Sequence, residues 1–185
     1  MVITVFVDDI LLFTNNLGLL KYIKNKLFSQ FSMKDLGPIQ KCFGFNIVRD
    51  RFKKTITLDQ ASYIISILKN FSMDECTPQA TSMEEGTNAI LTKTEGIDEK
   101  YPFRSLIGAL MYLYQGSRPD ISFALNVLSR FSNCYKKEHW EAAKRILKYL
   151  KGTTNYKITY GPKLSDIVGY SDAGHPNYHC MIQVQ

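Results

Sequence analysis

The sequence predicts an α+β fold, and three observations carry that prediction. Short β-branched and aromatic runs occupy the first sixty residues. Apolar residues at helical spacing dominate residues 101–151. Between them, from Cys76 to Lys100, periodicity disappears into Thr, Ser, Glu, Gly and Asn. Strands followed by helices, rather than alternating with them throughout, are the pattern of an α+β chain.

The elements follow in order. Val2 to Val7 reads as a strand, Asp8-Asp9 as a tight turn, and Ile10 to Phe13 as the returning strand. Both arms are apolar on both faces, so the hairpin is expected to be buried at its base with an accessible tip. Thr14-Asn15-Asn16 offers caps for a helix whose inner face is Leu20, Ile23, Leu27 and Phe31. Asp35-Leu36-Gly37-Pro38 ends it. Ile39 to Val48 is a second strand candidate, interrupted by Gly44, and Asp50 to Lys54 is a basic tip before Thr55 to Leu58 returns. Asp59 is placed to cap a helix with Tyr63, Ile64, Ile67, Leu68 and Phe71 inward. After the patternless stretch, helices are expected from about Pro102 to Gln115, from Pro119 onward, and from about Lys137 to Lys151. Gly108 in the first of these would admit a close neighbour, and Pro119 fits a first helical turn. Ile167 to Ser171 reads as one more strand, ending at Asp172; the residues after it carry no clear pattern.

Totals bound the rest. With 185 residues, 45% hydrophobic and 22% charged, the chain is long enough for one domain or two small ones. No apolar run reaches the length of a membrane span, and the apolar first thirteen residues lack the basic leader of a signal peptide. Cys42, Cys76, Cys134 and Cys180 are scattered and read as thiols of a reducing compartment, cytoplasm or nucleus. The net charge is +6 and unevenly spread. Residues 75–100 carry two bases against six acids, and residues 101–163 eleven against three. The first block reads as a linker and the second as the place for phosphate contacts.

VFVDDILLF, Val5 to Phe13, poses the chemical question. Adjacent carboxylates inside an apolar run are costly unless solvated, paired or bound to a cation. A solvated turn explains them, since Asp is a common turn residue. A magnesium site explains them too, because Mg²⁺ prefers carboxylate oxygens together with waters and substrate phosphates.

The order of the blocks that follow points to one family. FVDD in an apolar hairpin, a helix, then FSMKDLGPIQKCFGFNIVRD resembles the reverse transcriptase of copia-type retrotransposons. YPFRSLIGALMYLYQGSRPDISFALNVLSRF, EHWEAAKRILKYLKGTTNYKITY and VGYSDA are similar to later segments of that family, the last to the opening of its ribonuclease H domain. The resemblance covers residues 2–173.

The resemblance implies a division of labour. Residues 1–75 would be a partial polymerase palm, 76–100 a linker, 101–162 a helical thumb and connection, and 163–185 the truncated start of a ribonuclease H-like domain. Asp8 and Asp9 would be catalytic and hold Mg²⁺, with Asp172 a vestigial ribonuclease H carboxylate. Phe6 stands where the family usually has Tyr, which keeps the ring and loses a hydroxyl. Arg51, Lys53 and Lys54 fall where reverse transcriptases grip the primer. On the third helix, Lys137, Lys144, Lys148 and Lys151, with Arg145 alongside, would track the backbone of an RNA/DNA template–primer duplex without reading sequence. For all of these basic residues, a solvated face is the plainer alternative.

Other polar residues invite plainer readings. Arg118 and Asp120 are explained by capping and a local ion pair as well as by a substrate role. His139 reads as structural. His175, His179 and Cys180 lack a fourth ligand at a recognisable spacing. In the family, further metal-binding acids come from upstream palm strands and from later ribonuclease H strands. The expectation is therefore a segment of a Pol polyprotein that is inactive alone and works with the remaining segments. The alternative is a non-catalytic nucleic-acid-binding relic using the basic helices of 101–163.

Overall fold

A computed structural model of the chain describes residues 1–87, 91, 96–162, 169–172 and 181–184. The chain divides into two compact units, Met1–Ile39 and Gln40–Gln185.

In the first unit β1 (Val2–Phe6) pairs antiparallel with β2 (Asp9–Phe13), in a register running from Val2 opposite Phe13 to Phe6 opposite Asp9. That register leaves Val7 and Asp8 as the two turn residues, so the turn lies one residue earlier than Asp8-Asp9. Val7 sits at φ +50°, in the left-handed region that a β-branched side chain adopts only under strain. The hairpin base is not buried as expected. Every residue of β1 is exposed, Val5 at 67%, and only Ile10, Leu11 and Leu12 are half-covered.

Helix α1 (Leu17–Gln30) begins at Asn16, whose Oδ1 accepts from the Leu19 amide at 3.0 Å. Leu20, Ile23 and Leu27 are its covered side, but none of its residues is fully buried and Phe31 beyond it is exposed. Lys24 closes the unit on Asp35 at 2.7 Å. That hydrogen bond, with the Gly37 amide, holds the Asp35 carboxyl below its ordinary range.

The second unit is built on one core. An antiparallel sheet runs β3 (Lys41–Cys42), β4 (Phe45–Asp50), β5 (Thr55–Asp59), β6 (Ile158–Tyr160), in that order. The run read as a single strand from Ile39 is thus a hairpin, with Phe43-Gly44 as its turn at φ +50° and +74°. Positive φ at both central residues matches the twist of paired strands. Tyr112 donates its hydroxyl to the Phe43 carbonyl, and a Cβ on Gly44 would lie 2.6 Å from that hydroxyl oxygen.

Asp59 Oδ1 accepts from the Ala61 amide at 3.1 Å, but the cap position of α2 (Ala61–Asn70) is Gln60, one residue later than expected. Helix α3 (Phe103–Gly116), a 3-10 turn (Pro119–Ile121), α4 (Ser122–Ser129) and α5 (Lys137–Gly152) follow, close to the predicted spans. Ile64 and Leu68 of α2 share a core with Leu106 and Leu110 of α3, Leu128 of α4 and Ile146 and Leu150 of α5. This shared core ties α2 to the later helices within the Gln40–Gln185 unit. Gly108 faces open space, not the close neighbour expected of it.

The stretch after Cys76 is extended, yet it does not run free. The Gln79 amide donates to the Lys148 carbonyl at 3.2 Å, and Met83 and Leu91 pack against the core. Near the C-terminus β7 (Gly169–Asp172) pairs antiparallel with β8 (Met181–Val184), Asp172 opposite Met181. The expected start of β7 at Ile167, together with His175, His179 and Cys180, lies outside the described residues.

Candidate metal-binding hairpin and nucleic-acid surface

Asp8 and Asp9 are both exposed at the β1–β2 tip, and they project differently. Asp9 opposes Phe6, so the two side chains share one face of the ladder. Asp8 occupies the turn itself, directly after the strained Val7. Two carboxylates on a short hairpin fit Mg²⁺ in kind: oxygen donors, open to water and to a substrate phosphate. Among the described residues no group of three or more His, Cys, Asp or Glu is arranged to hold a metal ion. Asp172 lies in β7 by its backbone.

The β4–β5 tip is set by Asp50, whose Oδ1 accepts from the amides of Phe52 and Lys53, each at 2.9 Å. Lys54 closes the loop at φ +53°. Arg51, Phe52, Lys53 and Lys54 are all exposed, Phe52 at 96%. Sequence reasoning did not find what lies beside them. Strand β6 returns from the far end of the unit and sets Tyr160 opposite Ile56, which is itself opposite Arg49. Three residues of alternation, Ile158-Thr159-Tyr160, are too few to mark a strand by pattern; the pairing alone reveals it.

On the basic face of α5, several of the cations meet the segment from Asp74 onward. Arg145 forms an ion pair with Glu84 and donates to Thr81 at 3.1 Å. Lys151 donates to the Asp74 carbonyl, and Lys144 pairs with Glu141 at 2.8 Å. Lys148 is half-buried and lines the seam between α5 and Met83-Glu84. Lys137 is the exposed member of the set.

Arg118 and Asp120 form a structural clasp. Arg118 is 1% exposed. It donates from Nη2 to Asp120 at 2.7 Å, from Nη1 to the Thr153 carbonyl at 3.0 Å, and its guanidinium lies against the rings of Tyr149 and Tyr156. Tyr149 donates to Asp120 at 2.8 Å. Burial pushes the Asp120 carboxyl up, but the hydrogen bonds from Arg118 and Tyr149 and the Arg118 charge outweigh it and hold it below its ordinary range. His139 is buried against Phe131, and its Nδ1 accepts from the Lys136 amide at 3.2 Å, a structural position.

Residues 1–85 match the family described as reverse transcriptase (RNA-dependent DNA polymerase). The retrovirus-related Pol polyprotein from transposon TNT 1-94 of Nicotiana tabacum is 37% identical over 178 residues, 93% of this chain. Together these matches support a reverse transcriptase segment of a retrotransposon Pol polyprotein, with residues 1–85 inside the family's own match.

The retrovirus-related Pol polyprotein from transposon RE2 of Arabidopsis thaliana is 34% identical over 91% of the chain. A putative transposon Ty5-1 protein of Saccharomyces cerevisiae is 31% identical over 96% of it and is itself 58% covered. The chain spans 13% and 12% of the two plant polyproteins. No solved structure matches it. Reverse transcriptases generally use Mg²⁺ and bind a nucleic-acid template–primer. No helix among the described residues is long and apolar enough to cross a membrane.

Proposed function

We propose that this chain is a segment of an RNA-directed DNA polymerase, contributing Asp8 and Asp9 to its Mg²⁺ site and the β4–β5 tip to its grip on the template–primer. The β1–β2 turn carries the reading. A β-branched residue held at φ +50° places two neighbouring carboxylates at an exposed apex, and strain of this kind persists where geometry serves a function. Bound Mg²⁺ would activate a primer hydroxyl and neutralise the leaving phosphates. Asp8 and Asp9 would hold and orient the ion, and groups outside this hairpin would complete its coordination. The 185 residues alone are therefore inactive as a polymerase in this reading. Asp172 would play the corresponding part in a ribonuclease H-like site.

Arg51, Lys53 and Lys54 would contact duplex phosphates, with Phe6 beside Asp9 near the primer end. Lys137 remains available on α5. Lys144, Arg145 and Lys151 would have to exchange present partners for phosphate, and Lys148 is half-buried, which disfavours a non-catalytic relic relying on that helix.

Primer extension on an RNA template with Mg²⁺ tests the reading. The isolated chain should give no product. Grafted into a Pol polyprotein that extends primers, in place of the matching segment, it should support extension, and Asp8→Ala or Asp9→Ala should abolish it. Extension by the isolated chain, or full activity of a grafted Asp8→Ala variant, contradicts it.

A further inference from the structure

We propose that the exposed end of the β4–β5–β6 sheet binds an unpaired nucleotide, its base stacked on the Tyr160 ring and its flanking phosphates held by Arg49 and the tip cations. This rests on the nucleic-acid reading above and deepens it by naming single-stranded nucleic acid as the occupant.

The register supplies the surface. Arg49, Ile56 and Tyr160 lie directly opposite one another on three adjacent strands, so they share a face and span about 10 Å. The preceding row on that face, Ile47, Leu58 and Ile158, is half-buried. Cover stops there: Arg49 is exposed, Ile56 is 39% exposed and Tyr160 is 58% exposed. Tyr160 also lies close to the charged tip. A Cβ on Gly161 would sit 3.9 Å from Thr55 Cγ2, which places the end of β6 at the base of the loop carrying Phe52.

Charge selects the partner. Four cations, Arg49, Arg51, Lys53 and Lys54, surround one carboxylate, Asp50, which is engaged by the loop's own amides. Solvation explains exposed lysines. It does not explain why Phe52 and Tyr160 stand exposed among them, when each ring gains by burial. Aromatic rings interleaved with cations on an open sheet are the arrangement that binds single strands, the rings taking bases and the cations phosphates.

Fluorescence anisotropy with the whole chain tests it, using a labelled twelve-nucleotide single strand and a blunt duplex of the same sequence over a salt series. Tyr160→Ala should weaken single-strand binding about tenfold and leave both the salt slope and duplex binding unchanged. Tyr160→Phe should bind like the parent. Lys53→Ala with Lys54→Ala should weaken both ligands and lower the salt slope by about one to two. If Tyr160→Ala binds the single strand as tightly as the parent while the lysine variant is impaired, stacking is wrong and the nucleic-acid reading stands. A parent chain that binds duplex but not single strand likewise overturns the proposal. Binding to neither overturns both.

Discussion

Val7 and Asp120 are the residues on which local physics is most exposed. Val7 holds the acidic turn at a φ that Asn tolerates and a β-branched side chain does not. Val7→Asn should therefore steady the hairpin by about 1 kcal/mol, read as slower amide exchange across β1 and β2. Unchanged or faster exchange would mean the turn stores no strain. Asp120 is the only carboxylate paired with the buried Arg118 among the described residues. Asp120→Ala strands that guanidinium and should cost about 3 kcal/mol, the low end for a broken buried pair because Asp120 is partly solvated. Its folded pKa is held below the ordinary, unfolded carboxylate value. The pair's stabilisation is therefore complete above that value and is lost as pH falls through the lower, folded one. Urea titrations from pH 7 to 2 should show this acid loss in the parent and a smaller one in Asp120→Asn. Equal acid limbs would remove Asp120 as a cause.

Helix α3 separates two glycines that look alike in sequence. Gly108 has nothing within 4 Å of where a Cβ would stand, whereas at Gly116 it would meet Gln60 Oε1 at 2.5 Å and Phe45 Cζ at 2.8 Å. Gly108→Ala should raise stability by about 0.5–1 kcal/mol through helix propensity alone. Gly116→Ala should lower it by about 1–3 kcal/mol through overpacking. Denaturant midpoints of both variants check the pair, and the same sign for both would contradict the packing at the α3 C-terminus. At this scale the segment after Cys76 matters as well. Its acids were read as marking a linker, yet Glu84 meets Arg145 on α5, so opposite charges in two sequence blocks were complementary surfaces.

Across the molecule, periodic helices were legible because each buries one stripe: Ile121, Ala124, Leu125 and Leu128 were expected inward and are buried. The family resemblance was legible because FVDD stands in a fixed order with later blocks. What stayed hidden depends on register or distant pairing. The sequence pattern does not place the turn at Val7-Asp8 rather than Asp8-Asp9, because both arms are apolar on both faces and no alternation fixes the phase. Strand β6 is too short to announce itself, and its partner lies a hundred residues earlier. The core shared by α2 and α5 has the same long-range origin.

Central to the account is that Asp8 and Asp9 supply part of a magnesium site completed by groups outside their hairpin. Titrating the isolated chain with Mg²⁺ while following the Asp8 and Asp9 amide resonances tests this most directly. Shifts confined to that turn should grow gradually and stay unsaturated at one equivalent. Saturation at one equivalent, or no response at Asp8 and Asp9 at any concentration, would contradict it.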